Sequence, residues 1–284
     1  MCILYVALFA QSIEMTPYLF SKDYSPKISN KDLTLVSGAS IQYKQDTQNF
    51  IFDFSRQYIK YRSSKKDTES DFTFTYNFDD KTHMNLLMGL HLKKSSKNNS
   101  ALTDIIGDGT TLILGGSQNF YNSFNHKITI GSNFYATYYK EGIDDLGNLD
   151  KIFIYQVSPF IQYKIQNTYF KFQADYLKTP MYIRKDSGLL HAIVGFSFGK
   201  FDAELSGFYG KAKSVVFSNG HEVINTKDEY EQEIKARLSY NFTQNLKASA
   251  FASQTDIIER LIDSEEFTIG LNFSYIFKIP TISF

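Results

Sequence analysis

The chain is predicted to be all-β, a transmembrane antiparallel up-and-down barrel of about fourteen strands. Three observations lead there: a strict two-residue hydrophobic period, strands long enough to cross a bilayer, and connections that alternate between short and long. The clearest period runs from Glu266 to Lys278. Phe267, Ile269, Leu271, Phe273, Tyr275 and Phe277 share one parity there, and Glu266, Thr268, Gly270, Asn272, Ser274 and Lys278 share the other. Successive side chains of a strand point to opposite faces, so the segment has an apolar and a polar face, interrupted only by Ile276. A membrane-crossing strand needs about 9–11 residues, apolar toward lipid and polar inward.

The same period recurs along the chain. Phe72, Phe74, Tyr76 and Phe78 alternate with polar residues, as do Met84, Leu86, Met88, Leu90 and Leu92, and later Tyr230, Ile234, Ala236, Leu238, Tyr240 and Phe242. A soluble sandwich also alternates, with its apolar face turned into a core, so punctuation has to decide. Short connections fall near 45–48, 79–82, 121–124, 166–167, 199–200 and 243–245. Longer polar ones fall near 23–31, 62–69, 94–108, 140–150, 180–187, 218–227 and 257–264. Tight turns on one rim and long loops on the other mark an outer-membrane barrel, and a Greek-key sandwich has no reason to show them. The first strand, from Ile13 to Phe20, contains Pro17, and a twelve-stranded variant follows if the N-terminal strands or the turn ending at Gln48 slip.

No linker or composition break divides the 284 residues, so 13–284 reads as one transmembrane barrel domain. Residues 1–12, MCILYVALFAQS, read as a truncated signal peptide with Ala10 before the cut. No stretch of about 18 apolar residues occurs, which excludes helical spans but not barrels. The 26 Phe and 20 Tyr fit aromatic girdles at two membrane interfaces. A formal net charge of zero argues against a nucleic-acid partner, which would require a basic patch. Cys2 is the single cysteine, so the mature chain has no thiolate metal site.

Taking the polar parity of each strand as inward gives the expected pore lining. It comprises Asp53, Asp71, His91, Lys127, Lys164, Lys171, Asp175, His191, Asp202, Glu204, Glu231, Glu233, Lys235, Arg237 and Glu266, with Lys44, Lys93 and Lys247 on the same parity. A charge facing lipid at mid-depth costs roughly 2–4 kcal/mol, so these groups require an aqueous interior or one another. Glu231 and Glu233 follow a long connection while Asp202 and Glu204 follow a tight turn, so the two acidic pairs are expected near opposite mouths. Acids at the mouths would concentrate cations, with Lys235 and Arg237 checking their transit, unless the charges simply pair.

No catalytic, cofactor or metal site emerges. None of the histidines, His83, His91, His126, His191 and His221, has a paired ligand spacing. Ser197 shares a face with His191 but lies six residues on, far beyond hydrogen-bond reach within one strand. The SNGHE stretch at 218–222 has the residue types of a hydrolase in the wrong order and reads as a turn. GIDDLGNLD at 142–150 offers calcium-type oxygens without an EF-hand spacing.

These strands and connections resemble bacterial outer-membrane β-barrel proteins, and by strand count and length the monomeric fourteen-stranded porins of the porin G type. The resemblance implies a Gram-negative outer membrane, contact with its lipids and with the barrel assembly machinery, a monomer rather than a trimer, and passive passage of small polar or charged solutes. Phe284 fits the terminal Phe of such proteins, although Pro280 interrupts the alternation before it. Fatty-acid channels of similar strand count are longer and carry an N-terminal plug, for which the residues before Thr16 leave no room. Two other readings stay open, a structural or adhesive barrel with a closed pore and a barrel hydrolase.

Overall fold

The computed structural model describes residues 11–25, 31–62, 66–80, 83–95, 108–123, 125–143, 149–178, 186–213, 215–217, 222–223, 228–259 and 262–279. Fourteen antiparallel strands close into a barrel. In chain order they are β1 (Ser12–Ser25), β2 (Lys31–Gln45), β3 (Gln48–Tyr61), β4 (Lys66–Asp79), β5 (Met84–Ser95), β6 (Gly109–Asn122) and β7 (His126–Ile143). There follow β8 (Leu149–Ile165), β9 (Thr168–Lys178), β10 (Asp186–Phe198), β11 (Phe201–Ala212), β14 (Glu229–Asn241), β15 (Leu246–Glu259) and β16 (Ile262–Lys278). Two short strands, β12 (Val216–Phe217) and β13 (Glu222–Val223), pair with each other inside the connection from β11 to β14.

Each strand bonds to its chain neighbour, and β1 closes on β16 from Ser12 opposite Lys278 to Ser25 opposite Glu265. Expected and observed connections agree in place, but the one expected to be long at 257–264 is short, because the β15–β16 ladder continues through Ile257 opposite Ser264 to Glu259 opposite Ile262. Tight turns at 46–47, 166–167 and 199–200 share a rim and place Asp46, Gln166 and Gly199 at φ of 44°, 50° and 59°, as the twist of two-residue hairpins requires. Gln11 donates its amide to the Lys44 carbonyl and Ser12 opens β1, so a cut after Ala10 leaves the first strand whole. Residues 1–10, 96–107, 144–148, His221 and Phe284 lie outside the described residues, and with them most of the expected leader, much of two long loops and the terminal Phe.

Pro17 sits in a strand paired on both sides, which the rule confining proline to sheet edges would not foresee. It faces outward opposite Ala39, and the β1–β16 register skips Thr16 and Pro17. The side chains help to bridge the gap, since the Thr16 and Ser274 hydroxyls lie 2.8 Å apart.

Apolar parity faces outward except at Tyr230, expected in line with Ile234 but turned inward and buried where β14 bulges. On β16 the side chains of Phe267, Ile269, Leu271, Phe273, Tyr275 and Phe277 are 43–53% exposed, as a lipid-facing row must be. Inside, several aromatic rings lie flat on the wall over a glycine of the adjacent strand. Tyr18 covers Gly38, Phe160 covers Gly131, Tyr169 covers Gly195 and Phe251 covers Gly270. A Cβ at Gly270 would come within 2.3 Å of the Phe251 ring, so only glycine lets that ring lie down.

Replacing Gly270 by Val is expected to tilt Phe251 into the lumen and destabilise the barrel by about 1–3 kcal/mol. The loss is read from urea midpoints of the refolded protein in detergent, followed by circular dichroism and by its heat-modifiable gel migration.

Candidate functional site

On the loop side, inward apolar residues pack around residues 215–217 of the connection between β11 and β14, which lie inside the barrel. Val215 and Phe217 join Tyr24, Leu177, Leu189, Phe208, Tyr230 and Ile257, drawn from β1, β9, β10, β11, β14 and β15. Val216 reaches the opposite wall and packs on Leu87, Ile113 and Tyr135 of β5, β6 and β7. There the Gln156 amide of β8 grips it twice, donating from Nε2 to the Val216 carbonyl at 2.9 Å and accepting its N–H on Oε1 at 2.9 Å. Asp228, at the far end of the connection, is buried in an ion pair with Lys31.

Bulges at both roots aim the connection inward. The β11–β14 register shifts between Tyr209 and Ala212, where Gly210 adopts φ 138°, and the β14–β15 register shifts between Tyr230 and Gln232. A bulge bends its strand and breaks the alternation. At Gly210 a side chain is barred twice over, by that φ and by the Gly188 carbonyl 2.2 Å from where its Cβ would stand.

Polar and charged side chains line the wall toward the turns and also at the level of this packing, where Asp175 stands opposite Leu189 and Glu266 opposite Tyr24, and the structure brings most of the expected lining charges together in pairs. Asp53 accepts from the Tyr18 hydroxyl at 2.8 Å. Asp71 lies 3.3 Å from His91 and 3.4 Å from Lys93, and Lys93 also reaches Glu69 at 3.0 Å. His91, only 2% exposed, shares a 2.7 Å hydrogen bond with Thr73. Asp175 meets His191 at 2.5 Å and accepts from Gln173 at 2.9 Å. Glu266 pairs with Lys22 at 2.8 Å, and Lys44 stands 3.6 Å from Glu14.

The four acids expected at the mouths are likewise engaged. Asp202 holds Lys247 at 2.8 Å and accepts from Ser197 at 2.7 Å. Glu204 takes Arg237 at 2.8 Å together with the Tyr169 hydroxyl. Glu233 accepts from Thr255 at 3.2 Å. Glu231 is the extra residue of the β14 bulge, lacks a register partner on either neighbour, and pairs with Lys211. Sequence parity set Glu231 in line with Glu233, and the bulge puts it out of step. Ser197 and His191 stay apart, one on Asp202 and the other on Asp175.

Four lysines differ from the rest. Among the described residues, no carboxylate lies at ion-pair distance from Lys127, Lys164, Lys171 or Lys235. Lys127 and Lys164 stand directly opposite one another near the turn rim. The Lys171 ammonium sits 4.6 Å from the Phe160 ring centre, and that of Lys235 sits 5.0 Å from the Phe251 ring centre. Both line a cavity of about 470 Å³ beneath Phe217, together with Arg237, Glu204 and His191. Parity found these lysines. It could not show which charges go unpaired, because pairing depends on neighbours far away in sequence.

No family model matches the chain, and no curated protein sequence matches it. Among solved structures it is similar to the CymD monoaromatic hydrocarbon channel, with TM-score 0.60 and 6% identity over 98% of this chain and 92% of that one. It is similar as well to the Ralstonia pickettii toluene transporter TbuX, with TM-score 0.57 and 7% identity over 94% and 90% of the two chains. A TodX deltaS2S3 mutant monoaromatic hydrocarbon channel gives 0.55 and 8% over 95% and 91%. At such identities the likeness is one of fold, a closed fourteen-stranded barrel of the kind outer-membrane channels use.

Replacing Gln156 by Leu leaves the Val216 N–H and carbonyl without their partner, a loss of about 1–3 kcal/mol. Hydrogen–deuterium exchange at 215–217 is expected to speed up by about ten- to a hundredfold, with exchange in β1 and β16 unchanged.

Proposed function

We propose that the protein is an outer-membrane channel for passive diffusion of small polar or charged solutes. One observation carries this: inside a closed barrel belted with apolar side chains, the inner wall is lined by ionised groups around a cavity of about 470 Å³. Charge inside such a belt needs water or counter-charge, and a barrel of this strand number is wide enough for a lumen that its own side chains do not fill. The solved structures of similar fold include a monoaromatic hydrocarbon channel and a toluene transporter, which supports the reading. With it go a leader within 1–12 that is cut after Ala10, a barrel domain of 13–284 that keeps Ser12 at the start of β1, insertion by the assembly machinery, a monomer surrounded by lipid, and a bacterial outer membrane.

The barrel is proposed to sit with its turn rim in the periplasm and its long connections outside. An epitope inserted at 94–108 or 140–150 is then expected to bind antibody on intact cells, and one at 199–200 only after permeabilisation. The reverse pattern refutes the orientation.

A second reading, a structural barrel with a closed pore, draws support from the seating of Val216, buried at 2% exposure against the opposite wall. Planar bilayers separate the two. Reconstituted wild type is expected to give discrete single-channel steps, and Gln156→Leu to raise their conductance by about twofold or more as 215–217 leaves the lumen. Silence from wild type alone would fit the closed reading with a movable segment, whereas silence from both proteins removes the channel.

A further inference from the structure

The lumen contains two copies of one device, and neither serves the fold alone. In each, a glycine lets an aromatic ring lie flat on the neighbouring strand, and a lysine places its ammonium over that ring. Gly131, Phe160 and Lys171 form one, and Gly270, Phe251 and Lys235 form the other. A cation over a ring face is held by the quadrupole without losing its charge, unlike one matched to a carboxylate. The two lysines lie on one register row, from Lys171 through Ile193 and Ser206 to Lys235, three strand spacings or about 14 Å along the wall.

The remaining charges of the cavity cancel or fall short. Of its four bases, Lys22 is matched by Glu266 and Arg237 by Glu204, which leaves Lys171 and Lys235 against Glu233 alone. Asp175, two steps up the same face of β9 from Lys171, is engaged by His191 and Gln173. An apolar platform completes the cavity: Phe217 stacks on Phe208 with ring centres 5.5 Å apart, and His191 lies 5.1 Å from Phe217. Toward the turns, Lys127 and Lys164 face each other, a like-charge pair that costs stability on its own. They continue the uncompensated positive charge along β7 and β8 to Lys171 on β9.

We propose that this cavity binds a small carboxylate with an apolar body, drawn by the ammoniums of Lys171 and Lys235 and seated against Phe208 and Phe217. The site names a solute class for the channel and rests on that reading for access. Its volume falls in the range of small-ligand pockets. A neutral hydrocarbon of the same shape would leave both ammoniums unanswered.

Benzoate and benzamide share one shape and differ by one charge, so their binding to the detergent-solubilised full barrel, measured by calorimetry at low salt, isolates the lysines. Benzoate is expected to bind at least about tenfold more tightly than benzamide, with the difference shrinking at high salt. Lys171→Gln combined with Lys235→Gln is expected to weaken benzoate by about tenfold or more and to leave benzamide unchanged, in a protein whose heat-modifiable migration reports a folded barrel. Equal affinities of wild type for the two compounds overturn the site and require no variant. So does benzoate binding that the double substitution leaves intact. Single-channel recording without benzoate tests the passage separately: a conducting barrel with no charge-dependent binding loses the site alone, and a barrel that binds benzoate but passes no current keeps the site and loses the channel.

Discussion

At the centre of a bilayer no water reaches the backbone, so every N–H and C=O must be satisfied by the protein itself. Closing β1 onto β16 does this, because it leaves no strand with a free edge. The rest of the architecture follows from that seam. Once the sheet is a closed cylinder, strict alternation sends one parity into lipid and the other into the lumen. A proline is tolerable even in a strand bonded on both sides if it faces lipid and its missing donor is bridged locally, as at Pro17 beside the Thr16 and Ser274 hydroxyls.

A closed cylinder then has to manage its inner face. Bulky rings pointing inward would fill the lumen, and charges pointing inward would be costly if left dry. The first problem is met by setting rings on glycines, so that Tyr18, Tyr169 and Phe251 cover the wall instead of crossing the space. The second is met by cross-strand pairing, in which Tyr18 and Tyr169 also take part by bonding Asp53 and Glu204. Acids that would otherwise bias the passage toward cations are thereby matched, and the uncompensated charge is positive, at Lys171 and Lys235.

On the loop side the inner face carries apolar side chains among its charged pairs, and these pack against protein and not water. Leu177, Leu189 and Phe208 face inward where the β11–β14 connection enters, and Ile152 and Ile154 form a buried patch of their own on β8. The connection is held at both ends, by Gln156 at Val216 and by Lys31 at Asp228, and it is launched by bulges that let two strands bend into the barrel. Residues 215–217 are therefore held inside by a few hydrogen bonds and apolar contacts, on a wall fixed by continuous ladders.

The barrel was legible before any coordinates because alternation is local. Phe267 through Phe277 state their face two residues at a time, and tight turns such as Gly199-Lys200 lie within the chain they reverse. Strand number, the outward apolar parity and the two unlike rims follow from such short-range signals. Parity failed where a strand bulges, as at Glu231, and had nothing to read where both faces are apolar, as on β8 between Ile152 and Tyr155, because neither leaves a local trace of which way is in. Pairing lay beyond the sequence altogether. Lys22 meets Glu266 from 244 positions away, Gln156 finds Val216 across 60, and nothing near Lys171 or Lys235 distinguishes them from lysines that found an acid. Those contacts exist only once the cylinder has closed, since closure brings the first strand beside the last and gives the inward segment a far wall to reach.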